Sequence, residues 1–192
     1  MNSKRVMAAL LAAAFAFPAA AVAGPGAPKG WIIAGSAPAD YEFGTEHVDG
    51  SAGRQSAYIK AKPNASPGGF GTLMQTIKAD NYIGQRLRVS ANLKSTDAGA
   101  VQLWMRVDGE GKMLGFYNMN DRPIKGTTDW KRYDIVLDVP AGSTAINYGF
   151  FLAGGKGAGW ADAFALEPVN KSVPVSNFSP PSSKPVNMNF DQ

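Results

Sequence analysis

Between Trp31 and Val169 the sequence is a succession of short runs in which apolar and polar residues alternate. Gly, Pro, Asn and Asp separate these runs, and no stretch repeats its apolar residues with the spacing of a helix. Alternation with a period of two places successive side chains on opposite sides of an extended strand. The pattern therefore predicts antiparallel β-structure in which each strand has one buried and one solvated face.

The clearest predicted strand covers residues 86–94, with Leu87, Val89, Ala91 and Leu93 pointing inward. Residues 131–139 and 145–153 repeat the arrangement, and weaker candidates cover 41–47, 55–62, 72–79, 101–108, 112–118 and 159–167. A parallel sheet would need crossover helices between these strands. About nine strands without helices instead predict an all-β fold of two packed antiparallel sheets, a β-sandwich of the jelly-roll type.

The first 23 residues differ from this middle part. Lys4 and Arg5 form a charged start, residues 6–17 are an apolar run, and residues 21–23 are small, which is the pattern of a secretory signal peptide. The apolar run is shorter than the ~20 residues that span a bilayer. We therefore expect export, with a soluble product in the periplasm or outside the cell that begins near Gly24.

The C-terminal part also changes in composition. Residues 170–192 are rich in Pro, Ser and Asn and lack the apolar density for a core of their own. Residues 186–190 alternate enough to add a strand to a sheet edge. The predicted organisation is a signal peptide over 1–23, a sandwich domain over 24–169 and a tail over 170–192, whose end docks as an edge strand.

Composition argues against several classes of function. The chain has no cysteine and one histidine, His47, so thiol catalysis and zinc sites lack their ligands and no disulfide stabilises the fold. Loss of Lys4 and Arg5 with the signal reduces the 19 basic residues to 17, against 15 acidic residues. No basic stripe follows the pattern of a nucleic-acid surface. We expect a nearly neutral, non-catalytic protein that does not bind nucleic acid.

The strand predicted over residues 101–108 has the most distinctive polar face. Gln102, Trp104 and Arg106 project to one side, away from the apolar residues between them. Such a row is typical of glycan binding, because a ring stacks on a sugar's C–H face while planar polar groups bind hydroxyls. Further ligand contacts are predicted from Arg88, Asn92, Tyr117, Asn118 and Arg122, if their strands are neighbours. The competing interpretation buries Trp104 in a core.

Asp162 is the candidate for a metal site. It follows Trp160 on the last predicted strand, an apolar setting in which a carboxylate needs a partner. Glu42 and Glu46, on an early strand, would supply further oxygens for a structural Ca²⁺. A salt bridge to Lys or Arg is the alternative, and no other cofactor is expected.

Five segments of the sequence carry a resemblance to a known family: residues 70–75, 103–109, 118–130, 159–162 and 185–191. They resemble a bacterial jelly-roll domain that occurs alone in exported proteins and appended to AraC-type transcriptional regulators. The resemblance implies a shape similar to galactose-binding-like and carbohydrate-binding modules, and it assigns no activity. Two positions depart from the family. Tyr117 stands where an Asp is frequent, and the Asp-Asp pair that follows the last Trp is reduced to Ala161 and Asp162.

Three functions are compatible with these features. The first is an exported, non-catalytic module that binds a carbohydrate or cell-envelope glycan through Gln102, Trp104 and Arg106. The second is a protein-interaction or envelope-assembly module that uses the tail or a sheet edge for strand addition. The third is a polysaccharide-acting enzyme on the same scaffold, because paired catalytic carboxylates are recognised by their positions in space and not by sequence spacing.

Overall fold

The computed structural model describes residues 26–53 and 55–176. Within them the chain forms nine strands and two short 3-10 helices, Pro38–Asp40 and Asp80–Tyr82. The strands are β1 (Ile32–Gly35), β2 (Tyr41–Glu46), β3 (Ser56–Ala61), β4 (Phe70–Lys78), β5 (Arg86–Gly109), β6 (Lys112–Tyr117), β7 (Ile124–Asp138), β8 (Ser143–Ala153) and β9 (Ala158–Val169). The described part contains no helix that is long and apolar enough to cross a membrane.

Strand β5 determines the architecture, because it belongs to both layers of the fold. Its first half pairs with β7 and β9, and its second half pairs with β6 and β8. Sheet I therefore has the order β1-β4-β8-β5-β6, and sheet II has the order β2-β3-β9-β5-β7. All of these pairs are antiparallel. Register shifts between Leu93 and Val101, with Asp97 at a φ of 46°, mark the passage from one sheet to the other. The result is the predicted jelly-roll sandwich.

One hydrophobic core fills the space between the two sheets. Both halves of β5 contribute alternate, fully buried side chains to it, among them Leu87, Val89, Leu93, Leu103, Met105 and Val107. Leu73 of β4, Phe150 of β8 and Ile135 of β7 are buried in the same core. Each such side chain stabilises the fold by about 1.5–3 kcal/mol, so burial stabilises this chain in the absence of disulfides.

The observed strands differ from the sequence prediction in several places. The strands predicted over 86–94 and 101–108 are parts of one 24-residue strand. Strand β1 was not predicted, because its residues do not alternate: Ile33 packs on the core between the sheets, while Ile32 and Ala34 pack on apolar side chains of the opposite face. A strand that is apolar on both sides has no period-two signal.

A bulge in β9 changes the surroundings of Asp162. Ala163 has a φ of 50°, and the register of β9 against β5 shifts between Ser90 and Asn92. Trp160 and Asp162 consequently lie on the outer face of sheet II, while Phe164 and Leu166 pack on the core. The single apolar face expected around Asp162 is therefore divided between the two sides of the sheet.

After β9 the chain returns to the edge of sheet II. The guanidinium of Arg86 donates to the carbonyl oxygens of Lys171 and Val173. The Ser176 amide donates to Val136 O at 2.8 Å, and the Val136 amide donates to Ser176 Oγ at 3.0 Å. These contacts occupy part of the free edge of β7. The predicted edge strand 186–190 and the predicted signal peptide lie outside the described residues.

Candidate functional site

The predicted row of Gln102, Trp104 and Arg106 lies on the outer face of sheet I, directed away from the core. In register with it, β8 places Phe151 beside Gln102 and Asn147 beside Arg106. The three predicted residues are buried, with exposed fractions of 4%, 5% and 8%. The row therefore has the predicted direction but no exposed aromatic ring, which is the competing interpretation of Trp104.

Trp104 belongs to a second hydrophobic cluster on this face. Met74, Trp104 and Phe151 form its centre, and Ile32, Ala34, Phe70, Phe116 and Ala153 pack around them. The indole Nε1 donates to Thr72 Oγ1 at 2.9 Å, and that hydroxyl donates to the Phe150 carbonyl at 2.8 Å. A sugar stacks on an accessible ring face, and the ring of Trp104 is covered by this cluster. We therefore assign Trp104 a structural role in sheet I.

The polar residues of the same face bind one another. Arg106 donates to Asp108 Oδ2 from Nε at 3.0 Å and contacts it from Nη2 at 2.8 Å. Asn147 donates to the same oxygen at 2.7 Å, and Thr76 donates to Asn147 Oδ1 at 2.7 Å. These bonds join β4, β8 and β5 across the face and fix its side chains.

The remaining predicted ligand residues occupy three places: Arg88, Asn92, Tyr117, Asn118 and Arg122. Arg88 and Asn92 lie on the outer face of sheet II, on the opposite side of the sandwich from Trp104. Asn118 lies beside Gln102, whose amide donates to its carbonyl at 2.6 Å. Tyr117 faces the core, and Arg122 in the following loop donates to its hydroxyl at 3.3 Å. The structure therefore brings Asn118 to the predicted row and places Arg88, Asn92, Tyr117 and Arg122 elsewhere.

Two of the three acids expected to hold Ca²⁺, Asp162 and Glu46, have other partners. Asp162 is 9% exposed, and its carboxylate accepts hydrogen bonds from the backbone amides of Gly53 and Ala163, each at 2.7 Å. Glu46 accepts from Lys60 and Trp160, and Glu42 is exposed on β2. Among residues 26–53 and 55–176, no three His, Asp or Glu form a group suited to a metal ion. Within the described residues, the partners of Asp162 are these two backbone amides, and neither Glu42 nor Glu46 is among them.

A half-buried aromatic pair lies on the outer face of sheet II. Tyr58 of β3 is directly opposite Trp160 of β9, and Lys94 of β5 is opposite Trp160 on its other side. Lys60 follows Tyr58 on the same face, and Glu46 of β2 reaches both Lys60 and Trp160. We call Glu46, Tyr58, Lys60, Lys94 and Trp160 the sheet II platform.

Glu46 fixes the polar groups of the platform. Its Oε1 accepts from Trp160 Nε1 at 2.6 Å, and its Oε2 accepts from Lys60 Nζ at 2.8 Å. The hydrogen bond from Lys60 is the main reason that the pKa of Glu46 lies below its ordinary value, and the bond from Trp160 adds to the effect. The carboxylate is therefore ionised at neutral pH and holds the indole and the ammonium in place.

Tyr58 is positioned by a glycine and a cation. A Cβ atom at Gly44 would lie 2.6 Å from the Tyr58 hydroxyl oxygen and 2.7 Å from Cζ, so only glycine lets the ring lie across β2 in this way. Lys60 Nζ is 4.3 Å from the centroid of the Tyr58 ring and 5.7 Å from that of Trp160. Both distances are within the range of cation–π attraction.

The loop between β2 and β3 borders the platform. Trp130 Nε1 donates to Asp49 O at 3.1 Å, and the bond from Gly53 to Asp162 holds the other part of the loop. The sequence did not predict this surface, although Tyr58 and Lys60 share one face of a predicted strand. The adjacency of β3 and β9, which brings Trp160 to Tyr58, has no signal in the sequence.

Comparison with known proteins relates the chain to part of a regulator. It is 41% identical over 169 residues to the HTH-type transcriptional regulator YbfP of Bacillus subtilis (strain 168). The match covers 85% of this chain and 57% of YbfP, so the chain spans little more than half of that relative. No model of a protein family matches the sequence.

Solved structures show the same fold at low sequence identity. The CBM22-1 xylan-binding domain of Paenibacillus barcinonensis Xyn10C is 17% identical with a TM-score of 0.51, covering 75% of this chain and 88% of that domain. TmCBM61, in complex with β-1,4-galactotriose, is 16% identical with a TM-score of 0.50, covering 76% and 92%. The enzymatically active domain of bacteriophage CBA120 tailspike protein 4 is 14% identical with a TM-score of 0.55, covering 73% and 20%. The chain is thus a jelly-roll domain with the fold of carbohydrate-binding modules, related in sequence to part of an HTH-type transcriptional regulator.

Proposed function

We propose that this protein is a glycan-binding module whose ligand lies on the sheet II platform. The observation that carries the proposal is the pair of half-buried rings, Tyr58 and Trp160, side by side on neighbouring strands. Neighbours in fold include a xylan-binding domain and a module in complex with β-1,4-galactotriose, which supports this class of ligand. Gln102, Trp104 and Arg106 then support sheet I from the other side of the sandwich.

Trp160 is the main stacking ring in this proposal. Its edge is held by Glu46, so the ring does not have to be ordered when a sugar arrives. Polar groups around it, on Lys60 and Lys94, are available to the hydroxyl groups of the sugar. A rigid strand pair that carries an aromatic ring among planar and charged groups is the arrangement from which orientation and specificity in a sugar site arise.

The test is calorimetric titration of the chain that begins at Gly24 against a glycan panel. Trp160→Ala is expected to weaken binding by about tenfold, the effect of one lost stacking contact of roughly 1.4 kcal/mol. Met113→Ala is the matched control, because Met113 is an exposed apolar side chain on sheet I. Silence across the panel, or equal binding by Trp160→Ala and the parent protein, would refute the proposal.

Export and the absence of catalysis are part of the same proposal. The signal-like pattern of residues 1–23 supports export, and a chain with one histidine and no cysteine supports a binding role. N-terminal sequencing of the protein from the cell envelope or the medium is expected to begin near Gly24. An intact N-terminus in the cytosol would contradict export, and sugars released from the bound glycans would contradict a purely binding role.

A further inference from the structure

We infer that the sheet II platform selects acidic glycans, those whose sugars carry a carboxylate. The inference rests on the proposed function and specifies its ligand class. It comes from the hydrogen-bonding groups that remain free around Trp160 once the platform's internal bonds are made.

The platform's carboxylate and indole already bind each other and Lys60. Both oxygens of Glu46 accept a hydrogen bond, one from Trp160 and one from Lys60. The indole of Trp160 has a single N–H, and Glu46 takes it. A sugar oxygen that approaches Trp160 therefore cannot accept a hydrogen bond from the indole, and it must take its donors from the neighbouring ammonium groups.

The donor groups are only partly used. An ammonium group has three N–H donors, and Lys60 spends one of them on Glu46 while Lys94 spends one on Asp129. The side chains of Lys60 and Lys94 are 34% and 24% exposed. Asp129 is almost fully exposed, so its pair with Lys94 is of the weak surface kind and yields readily to another anion.

The two ammonium groups flank the stacking ring. Lys94 is the cross-strand neighbour of Trp160 on β5, and Lys60 Nζ lies 5.7 Å from the Trp160 ring on the side of β3. A sugar stacked on Trp160 thus has an ammonium group on either side, each with N–H donors to spare. The group that fits is one with several acceptor oxygens and a negative charge, which a uronate carboxylate provides.

The experiment compares each acidic glycan of the panel with its carboxyl-reduced form, which has the same backbone with a primary alcohol in place of the carboxylate. Two exposed ion pairs predict a preference of about two- to thirtyfold for the acidic form, decreasing as salt is raised from 50 to 300 mM. Lys60→Met and Lys94→Met are each expected to weaken binding of the acidic form more than binding of the neutral form, which reduces this preference. Lys112→Met, an exposed lysine of β6 in sheet I, is the matched control and is expected to retain the full preference.

The outcomes separate the two proposals. Acidic and reduced forms bound equally, with binding lost in Trp160→Ala, would overturn the acidic preference and leave the glycan-binding function standing. A preference that persists in both lysine variants would also overturn the assignment to Lys60 and Lys94. No binding of either form would overturn the proposed function, and the acidic preference with it.

Discussion

The outer faces of the two sheets carry the same kinds of side chain but differ in how far those side chains are buried. Each has a tryptophan on a strand, Trp104 of β5 on sheet I and Trp160 of β9 on sheet II, with a neighbouring carboxylate and cation. Trp104 is 5% exposed and donates to a threonine hydroxyl within an apolar cluster. Trp160 is half-buried and donates to the carboxylate of Glu46 beside Lys60.

The difference separates structural support from ligand contact. On sheet I the ring is surrounded by apolar side chains, so removal of the ring would leave a cavity in a packed cluster. On sheet II the ring is bound at its edge by a hydrogen bond and retains an accessible part. A face that is buried stabilises the fold, whereas a face that is fixed and accessible can bind a ligand without reorganising.

Truncation of the two tryptophans should give the largest difference between the faces. Trp104→Ala is expected to reduce the free energy of unfolding by about 3–5 kcal/mol, because it removes a buried ring that its neighbours cannot replace. Trp160→Ala is expected to cost about 1 kcal/mol, since it removes one hydrogen bond and a partly exposed ring. Urea unfolding followed by circular dichroism measures both values.

Trp104→Phe provides the second measurement if Trp104→Ala does not fold. It keeps a smaller aromatic ring and removes the N–H that Thr72 accepts, so a smaller loss of about 1–3 kcal/mol is expected. Equal losses of stability in Trp104→Ala and Trp160→Ala would show that the two faces do not differ in the way described.

The sequence predicts which side chains of a strand point inward and which point outward, but it leaves open what covers the outward side chains. The alternation over residues 86–94 and 131–139 correctly predicts the inward residues, because a period of two follows from strand geometry. The same alternation directs Trp104 away from the core without revealing that it is buried in a second cluster. The platform was missed for a different reason: β3 and β9 are about a hundred residues apart, and their adjacency follows from the topology.

The sequence pattern also does not predict the bulge at Ala163 or the path of β5 through both sheets. A single residue in the left-handed region reverses the face of every later side chain in β9, so Phe164 points inward although Trp160 and Asp162 point outward. Asp162, just before the bulge, accepts hydrogen bonds from the amides of Gly53 and Ala163, which the spacing of the strand residues does not indicate. Short-range patterns carry no information about such backbone changes.

Asn147 offers the next largest contrast with the platform. It is 4% exposed and connects Thr76 to Asp108, so Asn147→Ala leaves buried polar groups without a partner. We expect a loss of about 1–3 kcal/mol in the free energy of unfolding. Lys60→Met, which breaks a partly exposed ion pair, is expected to cost about 1 kcal/mol or less. A larger loss for Lys60→Met than for Asn147→Ala would reverse the proposed roles of the faces.

Gly44 tests whether the position of Tyr58 matters for binding more than for stability. The Cβ of Gly44→Ala would clash with the far end of the Tyr58 ring, which is able to swing outward toward solvent. We therefore expect a change in stability of about 1 kcal/mol or less, together with weaker glycan binding, because Lys60 loses the ring over which it lies.

The double variant is the control for Gly44. In Tyr58→Ala the clash is absent, so adding Gly44→Ala is expected to change neither stability nor binding further. Full glycan affinity in Gly44→Ala alone, with the ring displaced in its spectrum or structure, would show that Tyr58 takes no part in the platform.

Lowering the pH should gradually reduce the stability that ion pairs give to sheet II. This is the smallest of the effects predicted here. The pKa of Asp138 is lowered mainly by its hydrogen bond from Arg86, and the pKa of Glu46 mainly by its bond from Lys60. A carboxyl group whose pKa falls on folding contributes stability that is complete above its ordinary pKa, 3.8 for Asp138 and 4.5 for Glu46. This contribution is lost as the pH falls through the lower, folded value, when protonation removes the charge that Arg86 or Lys60 binds.

Urea unfolding of the parent protein between pH 7 and pH 3 is therefore expected to show stability declining below about pH 4.5. Asp138→Asn and Glu46→Gln should each be less stable at pH 7 and should approach the parent protein as the pH falls, since the charge they lack is then lost in both. Asp129→Asn is the control, because the Asp129 side chain lies almost entirely in solvent. Curves for Asp138→Asn and Glu46→Gln that stay parallel to the parent curve would contradict the assignment, because the lost stability would then come from packing and not from the ion pairs.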